Sequence, residues 1–376
     1  MNKRAFLRTL GVGTAGLAAN ALFPGLNLLR AAGRRQDLKN WAWVTTDVGP
    51  SAGEWEKRFA LMRRSGIDAV LPEIFNGYKA YYGSKHLPVG EAWLEKLLPL
   101  AKGEGLEVHA WMWTMPCMVE EVCRQHRDWY VVNRKGESAV DRPAYVDYYK
   151  FLCPSRPEVR EFLRTRVREL AEYGDLDGIH LDYIRYPDVI LPEALQPRYH
   201  IRQDREYPEY DYCYCSVCVD AFREESGIDI RNVEDPAACV PWRQFRYDRI
   251  THLVNDVLIP AAHESRKPVT AAVFPNWEMV RQEWPAWNLD SVLPMLYHRM
   301  YGKNTDWIKE ETERGIALLH DRRPLYSGLL AYDISPEDLA QAIEAALDGG
   351  ANGVVIFPAQ AMSESHWRTF SDAVKR

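Results

Sequence analysis

The chain has 376 residues, of which 47% are hydrophobic, so it can bury a large core as one large domain or two ordinary ones. Its 47 Lys and Arg residues against 53 Asp and Glu residues give a net charge of −6, and no basic run stands out that could neutralise a phosphate backbone. These numbers argue against nucleic acid as a partner.

The first 32 residues have the pattern of an export signal. A basic start at Lys3-Arg4 and Arg8 precedes the small and apolar run 10–23, which is too short and too rich in Gly and Ala to span a membrane stably. The basic start resembles a twin-arginine signal with Lys in place of the first Arg. We therefore predict a periplasmic or secreted protein with no membrane span after signal removal; the alternative is an amphipathic first helix packed on the fold.

From residue 38 onward, short apolar runs alternate with segments of helical period. This alternation favours βα units in a parallel sheet, and it predicts an α/β fold in which residues 38–376 form a single (β/α)₈ TIM barrel. Ser51 with Glu54, and Ser155 with Glu158, have the spacing of a capping box and predict two helix starts. The predicted strands are 41–44, 69–72, 108–113, 178–183, 269–274, 291–295, 325–329 and 353–357.

Two long insertions account for the length beyond a minimal barrel. Eight βα units need about 250 residues. The surplus falls at 114–154, after strand three, and at 187–241, after strand four. Both insertions follow the carboxyl ends of strands, which is the face where barrel enzymes build their sites.

The segment from Asp177 to Pro187 is a buried strand that turns polar at its end. Strand alternation puts His180 and Asp182 on one side. A carboxylate at the end of a barrel strand, flanked by an aromatic residue and by Arg185, is well placed to be held ionised and aimed into a cleft. The structural alternative is a carboxylate that forms a salt bridge with Arg185.

At these residues the chain resembles the glycoside-hydrolase-like family 10, a relative of the bacterial hydrolases of denuded peptidoglycan glycans. The resemblance implies a barrel that hydrolyses glycosidic bonds of a polysaccharide or glycan chain, with a catalytic Asp at the end of strand four and no cofactor required for catalysis. It also implies that stripped peptidoglycan strands are a reasonable first substrate to try. The resemblance rests on 177–187, with further similarity at 109–111, 126–129, 154–160, 282–284, 293–297 and 350–353.

Glycosidic cleavage needs two carboxyl groups, one neutral and one ionised. Asp182 supplies one. Its predicted partners are Glu278 and Glu283, shortly after strand five, and then Glu73, at the end of strand two. Polar and aromatic groups at strand ends are predicted to bind the substrate, namely Glu73, Asn76, His109, Trp111, His180, Tyr183, Arg185, Asn276, Tyr297 and His298.

A cysteine cluster lies in the insertion 187–241. The CxC and CxxC spacings of Cys213, Cys215 and Cys218 let thiolates converge on one tetrahedral ion, which predicts a structural zinc. The rival interpretation is a disulfide with spare thiols. Cys153 is predicted to be only a small buried residue. The fourth ligand stays open among Cys239, Cys117, Cys123 and a nearby His.

Two other functions remain open from the sequence. One is a noncatalytic carbohydrate-binding barrel that keeps the cleft without a working acid/base pair, because a fold does not fix a function. It predicts that no second carboxyl lies within reach of Asp182. The other is a metal-dependent hydrolase or lyase with the cysteine cluster at the chemistry.

Overall fold

A computed structural model describes residues 38–320 and 322–375. The predicted export signal at 1–32, and the alternative of a packed first helix, lie outside the described residues. Within the described ranges, no helix combines the length and the apolar character that a membrane crossing requires.

Eight parallel strands form one sheet in the order β6-β5-β4-β3-β2-β1-β8-β7. Two parallel bridges, Val292 to Leu325 and Met295 to Gly328, bring β6 beside β7 and close the sheet into a barrel. All eight predicted strands are confirmed, and only their ends differ by a few residues. The strands are β1 (Trp41–Val44), β2 (Ala69–Phe75), β3 (Glu107–Trp113), β4 (Gly178–Asp182), β5 (Val269–Val273), β6 (Ser291–Pro294), β7 (Ser327–Leu330) and β8 (Val354–Phe357).

Helices connect most of the strands on the outside. The connection from β5 to β6 departs from this plan, because its described residues form only two short 3₁₀ turns, Trp277–Val280 and Trp284–Ala286. A π-helical stretch, Leu253–Leu258, joins α6 to α7. The helices are α1 (Ala52–Ser65), α2 (Trp93–Gly103), α3 (Glu120–Gln125), α4 (Pro157–Ala171), α5 (Ser216–Ser226), α6 (Val240–His252), α7 (Ile259–His263), α8 (Asp306–Leu319), α9 (Pro336–Asp348) and α10 (Glu364–Val374).

The two predicted helix starts have different outcomes. Ser51 and Glu54 form the complete capping box that begins α1, with the backbone N–H of Ser51 donating to the Glu54 carboxylate at 2.8 Å. The predicted start at Ser155 is wrong, because α4 begins at Pro157 and the residue before it makes no side-chain cap. Proline suits the first helical position because its φ is already helical and it has no N–H to leave unpaired. The Ser155 hydroxyl instead lies 3.2 Å from the Cys218 sulfur.

Large aromatic side chains fill the inside of the barrel. Strand alternation sends Ala42 and Val44 to the main core beneath the helices, and it sends Trp41 and Trp43 to a second cluster inside the barrel. Trp111 of β3 belongs to the same inner cluster. The lower part of the barrel is therefore a packed core.

The two insertions contact each other. Bridges from Pro116 to Phe151 and from Tyr130 to Leu152 fold the first insertion back on itself. The second insertion then joins it, because the backbone N–H of Tyr214 donates to the carbonyl of Val132 at 2.7 Å. The insertions thus form a shared wall that follows the carboxyl ends of β3 and β4.

Candidate active site

The carboxyl ends of the strands open into a cavity of about 610 Å³. Half of the residues that line it are aromatic, and aromatic rings present flat apolar faces, with hydrogen-bonding groups at the edges of Trp and Tyr. Three acidic groups also line it: Glu73, Asp182 and Asp188. The aromatic lining residues are Trp43, Trp111, Trp113, Tyr148, Tyr149, Tyr183, Tyr199, Phe274, Tyr297, Tyr301, Tyr332 and Phe357.

Asp182 is the last residue of β4, and its side chain is buried at the base of the cavity. Its Oδ2 accepts a hydrogen bond from the indole N–H of Trp111 at 3.1 Å, and its Oδ1 accepts one from the backbone N–H of Tyr183 at 2.6 Å. Burial raises the pKa of Asp182 to about 6, although both donors and the charge of Arg185 act in the opposite direction. Burial thus favours the neutral form of Asp182 relative to that of an exposed aspartate.

Glu73 of β2 supplies a second buried carboxyl to the same cavity. Its Oε2 accepts hydrogen bonds from the backbone N–H and the hydroxyl of Thr46, at 3.2 and 2.9 Å. Burial raises the pKa of Glu73, and the bonds from Thr46 only partly offset this effect. The charge of Glu73 in turn raises the pKa of Asp182. Within the described chain, neither carboxylate forms an ion pair with a basic side chain.

Strand register sets the spacing of the two carboxyl groups. Glu73 lies beside Trp111 of β3, whereas Asp182 lies beside Trp113, two residues further along the same strand. One strand thus separates the acids laterally, and a two-residue step separates them along the barrel.

Arg185 is committed to a different carboxylate. Its guanidinium donates to Asp188 at 2.9 Å and to the Tyr149 hydroxyl at 3.1 Å, and both charged groups of the ion pair are buried. It also lies over the ring of Phe274, 4.8 Å from the centroid. The alternative in which Asp182 forms a salt bridge with Arg185 is therefore wrong.

A bend in the backbone follows Asp182 directly. Tyr183 has φ 54°, in the left-handed region that non-glycine residues seldom adopt. The bend lets the backbone N–H of Tyr183 return to the Asp182 carboxylate, and it places the Tyr183 ring 4.6 Å from that of Trp113. Backbone strain of this kind persists where the surrounding structure enforces it, often at active sites.

The two strand histidines lie below the cavity. His180 accepts a hydrogen bond from the Trp43 indole at its Nε2 (2.9 Å), so its Nδ1–H is the donor to the Thr270 hydroxyl at 2.8 Å. Burial holds the pKa of His180 well below its usual value. His109 is buried near the amino end of β3 against the Trp41 ring. Neither histidine lines the cavity, which corrects their predicted contact with substrate.

The other predicted residues divide into two groups. Trp111, Tyr183, Arg185 and Tyr297 line the cavity together with Asp182 and Glu73. Asn76, Asn276, His298, Glu278 and Glu283 do not.

Contacts elsewhere explain why residues of the second group do not line the cavity. Glu278 faces Arg314 of α8 at 3.4 Å, and Glu283 accepts from Gln244 of α6 at 3.2 Å. Asn276 accepts from the hydroxyl of Tyr301, a residue that does line the cavity, at 3.0 Å. Asn76 accepts backbone N–H groups in its own turn. The structure therefore does not bring the two favoured glutamates to Asp182, because the loop after β5 turns them outward.

Sequence reasoning missed several cavity residues that come from the insertions. Tyr148 and Tyr149 belong to the first insertion, while Arg198 and Tyr199 lie on a 3₁₀ helix of the second, Glu193–Tyr199. The cluster of tyrosines at 145–149 was the available signal. Position at a strand end does not reveal these tyrosines, because they lie in an insertion.

The sequence of residues 62–343 matches the model of the family described as glycosyl hydrolase-like 10. The chain belongs to this family. No curated protein sequence is recognisably similar to it.

Solved glycosidase structures share the fold of this glycosyl hydrolase-like chain. The glycoside hydrolase domain of PgaB (BpsB) from Bordetella bronchiseptica superposes with a TM-score of 0.66 at 16% identity, covering 85% of this chain and 94% of that one. The catalytic domain of β-amylase from Paenibacillus polymyxa gives 0.63 at 10% identity, covering 90% and 98%. A β-galactosidase from Bacillus circulans sp. alkalophilus gives 0.63 at 13% identity, covering 90% of this chain but only 55% of its own.

A second cluster of reactive side chains lies outside the cavity. The sulfurs of Cys153, Cys213, Cys215 and Cys218 all lie within 4.8 Å of one another, and all four residues are buried. No cysteine of the described chain forms a disulfide, which contradicts the disulfide interpretation. The fourth member is Cys153, which was predicted to be only a buried residue. Cys117, Cys123 and Cys239, predicted as alternative fourth ligands, are not part of the cluster.

The cysteine cluster has no access to the candidate chemistry, because none of its four residues lines the cavity. Four protein thiols around one point would also leave no open position for water or substrate. The geometry therefore does not favour a metal-dependent reaction at the cysteines.

Proposed function

We propose that this protein is a glycoside hydrolase that cleaves a polysaccharide or glycan chain with Asp182 and Glu73 as its carboxyl pair. One observation carries the proposal: two buried carboxyl groups, with no basic side chain of the described chain paired to either, open into the same aromatic cavity. Family membership adds support. Glu73 thus replaces Glu278 and Glu283 as the partner of Asp182.

The pair has the electrostatics that glycosidic hydrolysis requires. Each carboxyl has a raised pKa because of burial, and ionisation of one opposes ionisation of the other. The raised pKa values favour a pair in which one carboxyl is neutral while the other is ionised. The neutral member protonates the glycosidic oxygen, and the ionised member activates water or attacks the anomeric carbon. Thr46 holds Glu73 while Trp111 and Tyr183 hold Asp182, so neither acid must reorient.

The separation of the two carboxyl groups determines the stereochemical outcome of glycoside hydrolysis. Inverting enzymes separate their carboxyls by about 6.5–9.5 Å, and retaining enzymes by about 5–5.5 Å. Glu73 and Asp182 lie on strands that are separated by β3. NMR detection of the first anomer released measures whether the pair inverts or retains the anomeric configuration.

The proposed setting is outside the cytoplasm, because residues 1–32 have the pattern of an export signal. Peptidoglycan strands stripped of their peptides are the first substrate to test, on the strength of the family resemblance.

The test measures release of reducing ends from a panel of polysaccharides that includes denuded peptidoglycan. We expect the native protein to cut at least one of them and a folded Asp182→Asn variant to cut none. A Glu283→Gln variant is the matched control, and we expect it to retain native activity.

Equal cleavage by the native protein and Asp182→Asn would overturn the assignment of the site. A native protein that binds a panel glycan without cutting any would overturn the hydrolase proposal in favour of a noncatalytic carbohydrate-binding barrel.

A further inference from the structure

We propose that Cys153, Cys213, Cys215 and Cys218 bind one zinc ion, which clamps together the two insertions that wall the cavity. The Cys153 sulfur lies 3.5 Å from that of Cys218, 3.7 Å from that of Cys215 and 3.8 Å from that of Cys213. A tetrahedral zinc with Zn–S bonds of about 2.3 Å requires sulfurs about 3.8 Å apart. A disulfide would require about 2.05 Å.

A helix end and hydrogen-bond donors lie beside the cluster and can stabilise zinc-bound thiolates. Cys215 is the N-cap residue of α5 and Cys218 lies in the first turn of that helix, where the partial positive charge of the helix end favours an anion. The backbone N–H of Val132 points at the Cys213 sulfur, 3.4 Å away. The Ser155 hydroxyl is 3.2 Å from the Cys218 sulfur and can donate to it when Cys218 is a thiolate.

The four ligands join parts of the chain that are distant in sequence. Cys153 ends the first insertion, which contributes Tyr148 and Tyr149 to the cavity. The other three cysteines belong to the second insertion, which contributes Asp188 and Tyr199. A metal at this cluster would therefore hold the two sides of the cavity wall together.

The second insertion has little regular structure to hold it. Between β4 and α5 its described residues contain only the 3₁₀ helix Glu193–Tyr199. A metal can supply folding free energy that so short a segment cannot gain from a hydrophobic core. The proposed zinc thus has a structural role, since four thiolates leave no coordination position open for reaction.

Metal analysis of the purified intact protein tests this proposal without any need for enzymatic activity. We expect one zinc per chain by elemental analysis and loss of that zinc in Cys153→Ser. Cys239→Ser and Cys123→Ser are the matched controls, and we expect both to keep the metal because neither residue belongs to the cluster.

A second measurement covers the case in which Cys153→Ser does not fold. An organomercurial titration of the native protein, followed with a chromogenic zinc chelator, should release one zinc as four thiols react. Thiol modification with no zinc release, or zinc content unchanged in folded Cys153→Ser, would overturn the site. Iron in place of zinc would overturn the identity of the metal.

A kinetic readout separates the structural role from a catalytic one. If cleavage is established, zinc removal under conditions that preserve the fold should raise KM more than it lowers kcat, because the wall residues bind the glycan. Loss of kcat alone, with KM unchanged, would contradict the clamp. The measured zinc content tests the metal site independently of whether the protein cuts any glycan.

Discussion

His180 and Asp182 are two residues apart on β4 and face the same barrel interior, yet the surroundings of their polar groups differ. His180 has both ring nitrogens paired, with Trp43 and Thr270, and burial keeps it neutral. Asp182 lies one layer higher, where its buried carboxyl group lines the cavity.

The difference shows that burial acts in two ways on one strand. A buried group whose partners satisfy both of its polar atoms contributes to the fold. A buried acid without a charged partner keeps a raised pKa at a cost in stability, and such groups occur where chemistry needs them. The following predictions test whether His180 contributes to the fold alone and Asp182 to the chemistry.

Apart from Asp182→Asn, the largest effect is expected at Glu73. Glu73→Gln removes the proposed partner carboxyl and should lower kcat by about 10³-fold, within the range that acid–base groups contribute. Steady-state kinetics on the substrate found in the panel measure this, and Glu283→Gln serves as the control of the same chemical type. Activity of Glu73→Gln within tenfold of the native protein would exclude Glu73 from the pair.

Leaving-group dependence distinguishes the two acids. A variant that lacks the proton donor should recover much of its rate on aryl glycosides whose leaving groups need no protonation, whereas a variant that lacks the base or nucleophile should not. We expect one of Asp182→Asn and Glu73→Gln to recover and the other to stay inactive. Similar behaviour of both variants across the series would contradict a division of roles.

The pH dependence of stability should reveal the buried acid. The pKa of folded Asp182 is raised from 3.8 to about 6, so the stability gained from its bound proton is present below pH 3.8 and is lost as pH rises through about 6. Asp182→Asn should therefore become more stable relative to the native protein by about 3 kcal/mol between pH 3.5 and pH 7.5. Denaturant unfolding at the two pH values measures the change, and a constant difference would contradict the raised pKa.

Replacement of His180 should lower the stability of the fold rather than the catalytic rate. His180→Leu leaves the Trp43 indole N–H and the Thr270 hydroxyl without their buried partner, which should lower the free energy of unfolding by about 2–3 kcal/mol. The folded fraction should keep kcat within about threefold. A hundredfold loss of kcat in folded protein would show that His180 contributes to the chemistry.

The smallest effect is expected at Glu278. Its carboxylate faces Arg314 across 3.4 Å, with both side chains about two-fifths exposed. Surface ion pairs of this kind contribute about 0–1 kcal/mol. Glu278→Gln should therefore change the unfolding free energy by less than about 0.5 kcal/mol and leave activity unchanged, whereas a large loss of activity would restore Glu278 as a site candidate.

The barrel itself could be predicted because its evidence is local. Each strand is a short apolar run, and a run of this kind can be recognised in the sequence whatever packs against it. The capping box at Ser51 is local in the same sense, since its two members are three residues apart. At Ser155 the same local signal failed, because the hydroxyl lies against the sulfur of Cys218, a residue 63 positions away.

Local sequence did not identify the partner of Asp182 or the fourth member of the cysteine cluster. Glu73 lies within β2, whereas Glu278 and Glu283 belong to the loop after β5, whose direction turns them towards α8 and α6. Likewise Cys153 carries no motif of its own, and it joins the cysteine cluster only because the two insertions pack on each other.

The sequence by itself determined the eight strands, the position of Asp182 at a strand end and the three clustered cysteines, because each depends on spacing within a short segment. Only the tertiary structure decided that Glu73 lines the same cavity as Asp182, that Arg185 pairs with Asp188 and that Cys153 completes the cluster. The physical reason is the same in each case. Barrel closure and loop packing bring together groups whose separation along the chain carries no information about their distance in space.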